Sequence, residues 1–137
     1  MFSKKFLFNK TNIKIQLWEL GGQKKYRSVL EKFIMQGQAI ILVYDVTNES
    51  SFIAINDWIK EIKKYKKNLI ITLVGQKCDL KERVITEEKG RELANELGVE
   101  FFEVSAKTGQ NINELFDCVT QYCIFAARDK SPDLGSK

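Results

Sequence analysis

The chain has 137 residues, 44% of them hydrophobic, which suits one compact domain with a real core. Its net charge of +4 is mild, no apolar run nears the roughly 20 residues of a membrane span, and Met1-Phe2-Ser3-Lys4-Lys5 leads into too short an apolar stretch for a signal peptide. Three cysteines (Cys78, Cys118, Cys123) at no metal-ligand spacing, with no histidine anywhere, point to a reduced cytoplasmic setting rather than a disulfide framework.

Residues 5–8 and 13–18 are predicted to form a hairpin around Asn9-Lys10, with Ile13, Ile15 and Leu17 alternating with Lys14 and Gln16. Lys24 to Met35 carries a weaker helical pattern. Ala39 to Tyr44 and Leu69 to Val74 are short, β-branched, near-continuous apolar runs, as expected of strands covered on both faces. Phe101 to Val104 is a third, shorter run. Asp45 reads as a strand terminator and helix-start residue rather than a ligand.

Helices are predicted between these strands. Phe52, Ile55, Ile59 and Ile62, with Trp58 beside them, recur at helical spacing after Ser50 and Ser51, which can cap. Lys60, Lys63, Lys64, Lys66 and Lys67 gather near the end of that helix. A solvated face and a favourable contact with the helix C-terminus explain them, and no nucleic-acid partner is expected. Thr86 opens a second helix to about Leu97, stopped by Gly98 as a left-handed cap. Asn111 with Glu114 three residues on resembles a capping box, and Ile112, Leu115, Phe116 and Val119 supply the inner face of the last helix. Cys118 and Cys123 on that helix read as small buried residues. From Arg128 the chain holds its only proline and a Gly-Ser end, so residues 128–137 are predicted to be a disordered tail and 1–127 a folded domain. This alternation means an α/β fold with a doubly wound, mostly parallel sheet.

In such sheets, ligands sit beyond the carboxyl ends of the strands. Three clusters fall there: Glu19-Leu20-Gly21-Gly22-Gln23, then Gly75-Gln76-Lys77-Cys78-Asp79, then Ser105-Ala106-Lys107. Each alone is weak, since a strand-end Asp is more often a turn former and Ser-Ala-Lys occurs by chance. Together, in this order and each just past a strand, they are specific. The phosphate-binding pattern G-x-x-x-x-G-K-[ST] is not among them, because no glycine of the chain is followed by lysine.

The segments W-E-L-G-G-Q, I-L-V-Y-D-V-T-N, W-I-K-E-I, L-V-G-Q-K-C-D-L, F-F-E-V-S-A-K-T-G and N-I-N-E-L-F resemble a Ras-superfamily small GTPase of the Rab branch. The match runs from about Phe6 to Ile124. L-G-G-Q around Gly21 is closer to the Arf and Gα style than to the usual Rab T-A-G-Q.

The resemblance implies GTP or GDP with Mg²⁺ as ligands and gives particular residues roles. Asp79 would accept hydrogen bonds from the guanine ring N–H and exocyclic amine, a donor pair that adenine lacks. The Ala106 N–H would donate to the guanine carbonyl oxygen, Ser105 would brace that loop, and the stems of Lys77 and Lys107 would flank the base. Gly22 would give a backbone N–H to the γ-phosphate, and Gln23 would orient the attacking water, as glutamine does in the superfamily's best-known members. Glu19 would approach Mg²⁺ through water. Trp18 lies where Rab proteins show a hydrophobic patch to effectors and regulators.

Two substitutions depart from the family pattern. Gln76 stands where Asn is usual, one methylene further out, which spoils a contact between the base loop and the phosphate loop. Glu19 replaces an aspartate and shifts its charge outward near an ion that demands near-octahedral geometry. The larger departure is that the first strand, phosphate loop and first helix of the fold are expected to be missing from this stretch. A base pocket alone would bind on the order of mM or weaker. The absent strand, central in the family's sheet, forfeits on the order of 5–10 kcal/mol against a typical domain stability of about 5–15 kcal/mol, and leaves interior strand edges unpaired. The end, Leu134-Gly135-Ser136-Lys137, offers no cysteine for prenylation, so no direct lipid anchor is expected. Three readings stay open: an incomplete stretch of a working GTPase in vesicle traffic, a non-catalytic interaction module, and a decayed truncated paralogue.

Overall fold

The computed structural model describes residues 2–8, 11–17, 31, 34–35, 37–65 and 68–130, with side chains from Glu31 to Ala126. Strand β1 (Phe2–Phe8) and strand β2 (Thr11–Leu17) pair antiparallel with Phe8 opposite Thr11, as expected of the predicted hairpin; Asn9 and Lys10 lie outside the described residues. Both strands extend two or three residues beyond the alternating pattern. Main-chain pairing continues wherever a neighbour is in register, whatever the side chains are.

Strands β3 (Ala39–Asp45), β4 (Ile70–Gln76) and β5 (Glu100–Glu103) form a separate parallel sheet in the order β3-β4-β5. Two compact units make up the chain, residues 1–36 and 37–137. Of the predicted helix from Lys24 to Met35, Glu31, Ile34 and Met35 are helical, and the rest lies outside the described residues.

Three helices complete the second unit. Helix α1 (Glu49–Tyr65) starts earlier than Ser50 and Ser51 imply, because Asn48 is its cap: the Asn48 Oδ1 accepts from the Ser51 N–H at 3.1 Å. Ile55, Ile59 and Ile62 are its buried stripe. Helix α2 (Glu87–Leu97) is capped by Thr86, whose hydroxyl accepts from the Lys89 N–H, and ends at Gly98 with φ 69°, a conformation that suits a residue without Cβ. Helix α3 (Ile112–Lys130) continues to Lys130, three residues into the expected tail. The capping box predicted at its start does not form. Asn111 adopts φ 60°, and its amide donates to the Glu103 carbonyl at 2.8 Å instead.

Side-chain alternation assigns the helices to faces. On one face the Tyr44 ring meets Phe52 of α1 edge-on at 4.9 Å, and a Cβ at Gly90 of α2 would collide with the Tyr44 hydroxyl and the Phe101 ring. Gly90 therefore lets α2 approach the sheet closely. On the other face Val74, Val104 and Leu115 of α3 form a buried cluster, joined in part by Ile41, Phe102, Ile112 and Val119. Cys118 and Cys123 are only half-buried, against the expectation of buried residues.

Candidate functional site

The carboxyl ends of β3, β4 and β5 lie side by side because the ladders are in register: Asp45 faces Gln76, and Gly75 faces Glu103. The loop after β4 therefore emerges between the other two strand ends. Lys77 takes φ 65°, a left-handed conformation uncommon for lysine, and the Leu80 N–H closes a turn on the Lys77 carbonyl at 3.1 Å. The Cys78 N–H donates to the Val104 carbonyl at 3.1 Å, and the Val104 N–H to the Gly75 carbonyl at 2.8 Å. These bonds clip the Gln76–Asp79 segment to the segment that opens with Ser105.

Ser105 is fully buried and organises its own loop. Its hydroxyl accepts from the Thr108 N–H at 3.1 Å, its carbonyl from the Gly109 N–H at 2.8 Å, and its N–H donates to the Gln110 carbonyl at 3.2 Å. Ala106 and Lys107 form the exposed tip. Neither the Asp79 carboxylate nor the Ala106 N–H makes a hydrogen bond to a described residue, so an acceptor and a donor stand open on adjoining loops. The Gln76 side chain is half-buried and makes no such bond either, while its carbonyl accepts from the Val46 N–H.

Two ion pairs underlie the loops. Arg83 grips Glu103 with both guanidinium nitrogens, at 2.7 and 2.8 Å, and also donates to the Ile85 and Cys78 carbonyls. The bonds to Glu103 hold the Arg83 pKa above its ordinary value, and burial followed by the nearby Glu103 pushes the Cys78 thiol up. The second pair joins the Lys77 ammonium to Asp45 Oδ2 at 2.9 Å. Asp45 Oδ1 accepts from the Thr47 N–H at 2.8 Å and the Thr47 hydroxyl at 2.6 Å. Burial alone would raise the Asp45 pKa, but the bonds from Thr47 and Lys77 outweigh it and hold the carboxyl below its ordinary value.

Of the predicted site residues, Lys77 and Asp79 are brought onto the loop after β4 and Ser105, Ala106 and Lys107 onto the neighbouring loop after β5, while Gln76, expected in the first loop, is the last residue of β4 because its backbone still pairs with Asp45. Glu19, Gly22, Gln23 and Trp18 lie outside the described residues. Asp45 does end its strand as expected, but its bond to Lys77 escapes a sequence reading. The equal lengths of the apolar runs Ala39–Tyr44 and Leu69–Val74 could not reveal it, because the ladder pairs Ala39 with Ile70 and so puts Asp45 opposite Gln76. Among the described residues no group of three acidic, cysteine or histidine side chains could hold a metal ion. No described helix is long and apolar enough to cross a membrane.

Residues 1–124 match the Ras family profile. The chain is 45% identical over 111 residues to human Ras-related protein Rab-3A, covering 80% of this chain and 50% of that protein. It is 43% identical over 107 residues to Ras-related protein Rab-3 of Caenorhabditis elegans, covering 77% and 49%, and 44% identical over 119 residues to bovine Ras-related protein Rab-3C, covering 85% and 52%. The chain thus spans about half the length of the curated relatives it matches. The strand-end loops, their order and these matches agree, and the chain belongs to the Ras family of small GTPases, in its Rab branch.

Proposed function

We propose that the loops after β4 and β5 read a guanine base, and that the protein carrying them binds GTP and GDP as a Rab-type switch in vesicle traffic. The observation that supports this reading is the open pair on adjoining loops, the Asp79 carboxylate and the Ala106 N–H, held together by the Cys78–Val104 bond. Guanine presents the complement: two adjacent donors for a carboxylate and a carbonyl oxygen for an amide. Adenine presents neither at those positions, and a site built for such groups rejects the ligand that leaves them unpaired. The base-reading groups are fixed before the ligand arrives, because Ser105 and the Gly75–Val104 ladder order their backbone.

Polyphosphate binding and hydrolysis rest on the resemblance. In that reading Gly22 donates to the γ-phosphate, Gln23 orients water, and Glu19 reaches Mg²⁺ through water. When bound, the ion neutralises phosphate charge, and the Glu19 carboxylate would hold one of the waters that supply its oxygen ligands. Effectors and regulators would meet the Trp18 surface. Within the 137 residues alone, base contacts without a phosphate cradle give dissociation constants on the order of mM.

The test is an NMR titration of the ¹⁵N-labelled chain with guanosine, inosine and adenosine monophosphates. Shifts at Cys78, Asp79 and Ala106 that saturate with guanosine, weaken with inosine (which lacks the exocyclic amine) and vanish with adenosine are the expected result. Equal response to all three nucleotides would overturn base reading at these loops.

A further inference from the structure

The Lys77 stem, which flanks the base in the proposed site, needs a contact that holds it there. A lysine side chain has four rotatable carbon–carbon bonds and is 51% exposed here, so left alone it would sample many rotamers. Two observations remove that freedom. The backbone at Lys77 sits at φ 65°, which fixes the direction in which its side chain leaves the loop. At the other end, the ammonium meets Asp45 Oδ2 at 2.9 Å.

Asp45 is itself immobilised. It closes β3 opposite Gln76, its N–H donates to the Ser51 hydroxyl at 3.0 Å, and its second carboxylate oxygen takes both bonds from Thr47. Its side chain is 16% exposed, so the carboxylate is well shielded from water. A stem tied at both ends lies across the carboxyl ends of β3 and β4, beside the loop that carries Asp79.

We infer that Asp45 is a positioning residue for the base-reading loop: by holding the Lys77 ammonium it fixes the methylene stem as one wall of the base site. The inference rests on the base-reading proposal for its function, but the pair itself can be tested separately. Asp45 acts through Lys77 and touches no ligand. The Asp45→Asn variant keeps an oxygen for Thr47 and loses the charge that grips the ammonium, so it isolates the contact.

The experiment is a double-mutant cycle on the full 137-residue chain with D45N, K77M and the double variant. Amide hydrogen exchange at Cys78 and Leu80 reports the loop, and the Val104 amide, bonded to Gly75 in the ladder, serves as the reference. D45N and K77M should each speed exchange at Cys78 and Leu80 about threefold to fivefold, the scale of a partly exposed ion pair, and the double variant should add nothing further. In the same samples D45N should weaken guanosine monophosphate binding by a similar factor without creating affinity for adenosine monophosphate, and D45E should recover part of the loss. Unchanged exchange in D45N, or additive effects in the double variant, would overturn the pairing. Loss of protection throughout residues 37–137 together with an intact base preference would reduce Asp45 to a fold-stabilising residue. A wild-type chain with no preference for guanosine would overturn the base-reading proposal and the positioning role with it, leaving only the pairing for the exchange cycle to decide.

Discussion

Val43 and Val74 are Cα partners on the same face of the β3–β4 ladder, yet Val43 is 48% exposed and Val74 only 1%. The residue type is the same, and the neighbours differ. β4 runs between two strands and under α3, whereas β3 pairs on one side only among the described residues. The sheet's other edge, β5, is finished as natural edges are: four residues long, bounded by Glu100 and Glu103, with Arg83 clamped onto the latter. β3 has seven residues, apolar or aromatic from Ala39 through Tyr44, with no lysine, proline or bulge to discourage pairing. Parallel strands normally have both faces and both sides covered. β3 thus has the composition of an interior strand at the position of an edge.

The largest expected effect sharpens that contrast. Val74→Ala should lower stability by about 2–4 kcal/mol, as large-to-small changes in a sealed core do, while Val43→Ala should stay within about 0.5 kcal/mol. Urea midpoints of the two variants decide it, and equal losses would mean that the β3 edge is covered in solution. Next comes Arg83→Ala, expected to cost about 1–3 kcal/mol, because it strands the Glu103 carboxylate, 9% exposed, without its partner. A smaller loss would show water reaching Glu103, making the β5 edge less finished than it looks.

Acid should act on the β3 end through Asp45. Its folded pKa lies below the ordinary 3.8, so its contribution to stability is complete above that value and is lost as pH falls through the lower folded one. Thermal melts of wild type and D45N should therefore converge at acid pH and separate toward neutrality. Val43→Lys should leave stability nearly unchanged but lower the aggregated fraction in light scattering, since an edge lysine discourages strand addition. An effect of opposite sign is expected at Tyr44, whose hydroxyl is buried with no hydrogen-bond partner among the described residues. Tyr44→Phe should be neutral or stabilising by up to about 1 kcal/mol in the thermal midpoint, because it removes an unsatisfied polar group. A clear loss would mean that a water satisfies that hydroxyl.

The elements were legible in the sequence wherever the signal was local. The apolar runs at Ala39 and Leu69 became β3 and β4, the Phe52–Ile62 stripe became α1, and Gly98 ended α2 because a left-handed turn favours a residue without Cβ. Lys77–Asp79 and Ser105–Lys107 were legible as strand-end loops for the same reason, since each comes just after a strand, although Gly75 and Gln76 close β4 itself; Glu19–Gln23 lies outside the described residues. Caps were less so. Asn48 rather than Ser51 starts α1, and Asn111 turns its amide to Glu103, because the choice among neighbouring polar residues depends on which backbone groups come within reach.

The sequence by itself determined the strand and helix periods and the placement of Lys77, Asp79 and Ser105 in loops. Only the tertiary structure decided that Asp45 grips Lys77, that Arg83 grips Glu103, that the strands fall into two sheets, and that Val43 is open while Val74 is sealed. These outcomes depend on the register and neighbours of strands whose paired residues lie 28 and 31 positions apart. Periodicity is read along the chain, whereas burial and ion pairing are settled across it.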